Sequence, residues 1–174
     1  MKINKNRNII LVGYMGSGKS TVGHKAAKAV EYTFLDTDAL IEKDEGMTIA
    51  QLFEEKGEPY FRQKETETIR RLLEEPKGNI VATGGGLPMK EGNAALLKQL
   101  GTVIYLKAET ETLIKRLSGD NARPLLKNGD LREKVETMLA IRGPVYEACA
   151  DVVLQTDNMS FYEIICRIEK ILAE

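Results

Sequence analysis

"GYMGSGKS", residues 13–20, follows directly on the apolar run "NIILV" at 8–12. Gly13, Gly18, Lys19 and Ser20 satisfy G-x-x-x-x-G-K-[ST] at every fixed position, with a strand pattern before and a helix pattern, Lys19–Val30, after. Glycines allow the backbone to turn its N–H groups around phosphate oxygens, and the helix N-terminus adds a favourable dipole. Lys19 is placed to reach the outer phosphates, and the Ser20 hydroxyl to ligate Mg²⁺. The expected ATP-binding residues of this stretch are Gly16, Ser17, Gly18, Lys19, Ser20 and Thr21.

The rest of the chain repeats the strand–helix alternation that the loop begins. "NIILVG" (8–13), "YTFLD" (32–36), "NIVAT" (79–83), "TVIYL" (102–106) and "DVVLQ" (151–155) are short and rich in Val, Ile or aromatic residues. None alternates cleanly, as expected of strands covered on both faces. Helix-length stretches lie between them at Lys19–Val30, Pro59–Leu73, Ala94–Gln99, Glu111–Leu117 and Leu131–Tyr146, with a last one at Ser160–Leu172. The alternation predicts an α/β domain with a mostly parallel sheet.

Two regions depart from it. Residues 37–65 read as short helical pieces instead of one crossover helix. "SGDNARPLLKNGD" (118–130) is crowded with Gly, Asn, Asp and Pro and reads as a loop. The expectation is one domain over 1–174, with a substrate-binding excursion at about 37–65 and a lid loop at about 118–130.

Bulk properties narrow the partners. The 174 residues are 43% apolar and 29% charged, with a net charge of −1, so no basic field invites nucleic acid or an anionic membrane. No run reaches the roughly 18 apolar residues a spanning helix needs, and no targeting segment is read, so a cytoplasmic protein is expected. Cys149 and Cys166 lack metal-ligand or CxxC spacing and read as free thiols; His24 reads as a surface helix residue.

The nucleotide machine is narrowed by what accompanies the loop. No N-K-x-D guanine motif is present, and a chain this short suits a small kinase better than a motor. A kinase needs an acceptor site and a means of excluding water. "DTD" ends the second strand, where ligands gather in open α/β sheets. Asp36 and Asp38 alternate there, and in extended chain they face the same way. One is expected to serve the Mg²⁺ shell through water and the other to orient or deprotonate a hydroxyl, although either also suits a helix N-cap. Arg62 in "YFRQKE" and Arg142 in "IRGPVYE" suit a fork for a carboxylate, and Arg123 in "RPLL" sits in the candidate lid. "ATGGG" (82–86) leaves backbone open to a ligand. The residues thus point to a small kinase with an anionic, hydroxyl-bearing acceptor.

Taken together, "GYMGSGKS", "DTD", "YFRQKE", "ATGGG", "RPLL" and "RGPVYE" occur in an order that resembles the shikimate kinases, over nearly the whole chain. The resemblance implies a three-layer P-loop kinase fold with a five-stranded parallel sheet in the order 2-3-1-4-5, flanked by helices. It implies MgATP-dependent phosphorylation of the 3-hydroxyl of shikimate, in aromatic amino-acid biosynthesis, by a monomer. Carried over, Asp38 binds the shikimate hydroxyls and acts as base, and Asp36 lies near the Mg²⁺ waters. Arg62 and Arg142 clamp the carboxylate, while Gly84, Gly85 and Gly86 line the ring site. Arg123 closes on the phosphates and Arg116 stacks on adenine. A gluconate-type sugar-acid kinase and a nucleotide-binding module without catalysis are the competing readings.

Overall fold

A computed structural model describes residues 6–119 and 130–174 of the chain. Five strands, β1 (Ile9–Val12), β2 (Thr33–Asp36), β3 (Asn79–Ala82), β4 (Thr102–Lys107) and β5 (Val152–Gln155), form one parallel sheet in the order β2-β3-β1-β4-β5. The expected order is the observed one.

Strand β1 is buried at every position, and its side chains divide the core by parity. Ile9 and Leu11 face a cluster with Val22, Ala26, Ile104, Ile164 and Ile168. Ile10 and Val12 face another with Ile69, Leu97, Tyr105, Leu113 and Tyr146. Helices α1 (Lys19–Val30) and α7 (Phe161–Ala173) therefore cover one face. Helices α3 (Ile49–Glu74), α4 (Asn93–Leu100), α5 (Thr110–Ser118) and α6 (Leu131–Cys149) cover the other. Covering both faces explains why no strand shows polar alternation.

Buried Asn8 joins the layers below the site: its Oδ1 accepts from the N–H groups of Gly78 and Asn79, each at 3.0 Å, and its Nδ2 donates to the Leu100 carbonyl at 3.1 Å. His24 is exposed on α1 with its ring 3.9 Å from that of Phe34, and both cysteines are free thiols.

The region after β2 holds the short helical pieces expected, in place of one crossover helix. Helix α2 (Thr37–Glu45) starts immediately, and α3 then runs on to Glu74, interrupted only at Gly57 (φ 80°, ψ 165°). Backbone at positive φ suits glycine and breaks the helix there. Pro59 restarts it near a first turn, where its missing N–H costs nothing. The helix expected from Pro59 is this second piece, and the first piece has its own start, a capping box of Thr48 with Gln51.

Candidate active site

The carboxyl ends of β1, β2 and β3 open on one cavity of about 870 Å³. On its β1 side the glycine loop leads into α1, with Gly18 held at φ 95° just before the first helical residue. Lys19 bends back over the loop, donating to the carbonyls of Gly13 at 2.7 Å and Tyr14 at 3.0 Å. Gly16, Ser17, Ser20 and Thr21 line the same wall.

Asp36 does two jobs at once. Its Oδ1 accepts from the backbone N–H groups of Asp38 (3.0 Å) and Ala39 (3.3 Å), capping α2, while Oδ2 accepts from the Ser20 hydroxyl at 3.1 Å. Asp38 therefore does not sit in extended chain beside Asp36, as its spacing suggested. It lies in the first turn of α2, because the cap bends the backbone into helix one residue earlier. Its side chain nonetheless enters the cavity. Asp38 Oδ1 is buried with no hydrogen-bond partner, and its carboxyl is pushed up to about 6, chiefly by burial and then by the Asp36 charge, with Lys19 opposing.

The three glycines after β3 lie where charged side chains approach the backbone closely. A Cβ on Gly84 would lie 2.6 Å from Asp38 Oδ1 and 3.0 Å from Glu65 Oε1. One on Gly85 would lie 3.3 Å from Arg142 Nη1, and one on Gly86 2.5 Å from both terminal nitrogens of Arg62. The turn is pinned by Gly84 N–H donating to Thr37 Oγ1 (3.0 Å) and by the Tyr146 hydroxyl donating to the Gly85 carbonyl (2.5 Å). Thus α2 and α6 each send one charged group, and α3 sends two, to the same glycine turn.

Glu65 was not singled out from the sequence. It follows Arg62 by one helical turn, and its side chain is only 1% exposed, with Oε2 accepting from Arg62 Nη1 at 2.7 Å and Oε1 without a partner. Burial outweighs the arginine and pushes its carboxyl up to about 7. Between the ordinary value of 4.5 and about 7 the folded protein therefore holds more protons than the unfolded chain. Stability from this group is full below 4.5 and is lost as pH rises through 7. Urea unfolding followed from pH 4.5 to 8 is expected to show a steeper decline for the wild type than for Glu65→Gln; equal slopes would exclude Glu65 as the source.

On the nucleotide side, Arg116 lines the cavity and donates from Nη1 to the Gly16 carbonyl at 3.1 Å. Thr156, Met159 and Phe161, which the sequence did not assign, complete that end. Arg123 lies outside the described residues, as does most of the loop expected at 118–130. The other expected site residues are brought together here.

The donor chemistry suits Mg²⁺. A serine hydroxyl and an acidic oxygen meet at the mouth of the glycine loop, and no cluster of three His, Cys, Asp or Glu side chains is found among the described residues. Mg²⁺ takes oxygen ligands, few of them from protein, and keeps waters and phosphate oxygens for the rest.

The family model for shikimate kinase matches residues 15–173. A shikimate kinase from Francisella tularensis subsp. novicida is 39% identical over 170 residues, covering 98% of this chain and 97% of its own length. Among solved structures, shikimate kinase from Acinetobacter baumannii in complex with shikimate superposes with a TM-score of 0.88 at 36% identity, covering 96% of this chain and 93% of that one. A gluconokinase from Sinorhizobium meliloti, at 19% identity and a TM-score of 0.58, shares the fold.

Proposed function

From the premise that the chain belongs to the shikimate kinase family, we propose that it transfers the γ-phosphoryl group of ATP to the 3-hydroxyl of shikimate, in aromatic amino-acid biosynthesis. The observation that carries the reading is the meeting of two unpartnered acidic oxygens, Asp38 Oδ1 and Glu65 Oε1, and two arginines at Gly84–Gly86, across one cavity from the glycine loop. Such a site suits an acid that also bears hydroxyls.

In this reading Lys19 leaves the loop carbonyls for the outer phosphates, and the loop N–H groups hold them in line with the acceptor. Ser20 and, through water, Asp36 would hold Mg²⁺, which supplies charge neutralisation at the phosphate oxygens when bound. Arg62 and Arg142 take the substrate carboxylate, which orients the ring against the glycine turn. Asp38 accepts the hydroxyl proton as the oxygen attacks phosphorus, and its raised affinity for a proton suits a base that works near neutrality. Arg116 packs at the adenine end.

Arg123 would close on the phosphates, within a lid at about 118–130; a single domain, 1–174, would also hold the acceptor segment at about 37–65. We take the enzyme to be a cytoplasmic monomer. Among the described residues no helix is long and apolar enough to cross a membrane.

ADP release measured with MgATP and shikimate, beside gluconate and a no-acceptor control, tests the reading. Release is expected with shikimate alone. Turnover of gluconate without shikimate turnover would overturn the substrate, and equal release without acceptor would overturn the kinase.

A further inference from the structure

Arg62 meets two glutamates, and they are unlike each other. Glu65 holds Nη1 from the interior. Glu58, one helical turn earlier, places a single oxygen, Oε1, against both Nε (3.2 Å) and Nη2 (3.0 Å), the side edge best suited to a carboxylate. Its side chain is 60% exposed against 22% for Arg62. Glu58 also directly follows the helix break at Gly57 and is exposed.

One guanidinium charge is thus shared by two carboxylates. A substrate carboxylate arriving at Arg62 would bring a third, with Arg142 across the glycine turn as the second positive group. The Arg62–Glu65 pair cannot open without leaving the buried Glu65 carboxyl unpaired. Glu58 can, because its charge returns to water at little cost.

We propose that Glu58 is a resident stand-in for the substrate carboxylate, occupying the side edge of Arg62 in the unliganded protein and displaced when the acid binds. The proposal rests on the acceptor reading given above. It makes Glu58 a specificity residue: only a ligand that brings its own negative charge recovers what the displaced pair gives up, so neutral polyols of the same shape gain nothing from Arg62.

Calorimetric titration of wild type and Glu58→Gln with shikimate and with its uncharged methyl ester tests this. Removing an exposed ion pair is expected to tighten shikimate binding about two- to fivefold. Ester binding should stay the same in both proteins. Weaker shikimate binding in the variant would show that Glu58 aligns Arg62 instead, and would overturn the proposal. So would an equal gain for acid and ester. If the wild type binds shikimate and the variant matches it, the stand-in fails while the acceptor reading survives; binding by neither protein would overturn both.

Discussion

Asp38→Asn is expected to abolish most shikimate phosphorylation, lowering kcat by roughly 10²–10⁴-fold, the usual worth of a positioned general base. The amide keeps the size and place of the side chain at the glycine turn but has no site for the hydroxyl proton. ATP affinity should stay near normal, because Lys19 and Arg116 donate to carbonyls of the loop and Ser20 to Asp36. The same change should raise the stability of the ligand-free protein. The folded state confines a carboxylate that is half-buried, unpartnered at Oδ1 and repelled by Asp36. Asparagine removes that charge. Initial rates, ATP titration and urea unfolding at pH 8 read the three effects. Near-wild-type turnover would remove Asp38 from proton transfer, and a loss of stability would show that its charge is compensated in the fold.

Arg62→Ala is expected to damage binding and folding together. Loss of one arm of the carboxylate fork should weaken shikimate binding by roughly 2–5 kcal/mol. It also strands Glu65, whose side chain is 1% exposed and whose one described ion pair is with Arg62. Breaking a buried pair from one side commonly costs about 3–5 kcal/mol. Because the stranded acid can take a proton, the cost in stability should shrink as pH falls toward 5. A folding defect unchanged from pH 8 to 5 would mean that Arg62 contributes packing and not charge. An unchanged shikimate affinity in the folded variant would remove it from the fork.

These expectations draw unequally on the sequence and on the structure. The five strands were readable within a residue or two, since each is a short run rich in apolar residues, and β1, β3 and β4 are buried over most of their length. Helix α1 was read with both ends in place, because the glycine loop sets its start. The strand order came with the family resemblance; the alternation alone permits several. Asp36 and Asp38 were found as a pair, but the extended geometry assumed for them was wrong. A helix cap is a local feature, and the "DTD" spacing is compatible with either form.

Glu65 shows the limit more sharply. On helix α3 it sits in a stretch dense with charged residues, Arg62, Lys64, Glu65 and Glu67, which by pattern reads as one solvated face. Only the packing of that helix against the glycine turn after β3 takes Glu65 inside and leaves Lys64 and Glu67 outside. Glu58 and Arg62 are equally plain as an i, i+4 pair on a surface helix. Their meaning changes because Gly86 brings the substrate turn against the arginine.

By itself the sequence determined the phosphate cradle, the number and class of elements, and the arginines and aspartates worth asking about. Each of these is local: a backbone turn that needs glycine, a helix start beside it, a run of side chains that must be buried. Tertiary structure alone decided which carboxylate lost its water, which arginine was already engaged, and which glycine could not carry a side chain. Those properties belong to contacts between residues tens of positions apart, and burial, which sets both the raised affinity of Asp38 and Glu65 for a proton and the difference between Glu65 and Glu58, is a property of packing and not of spacing.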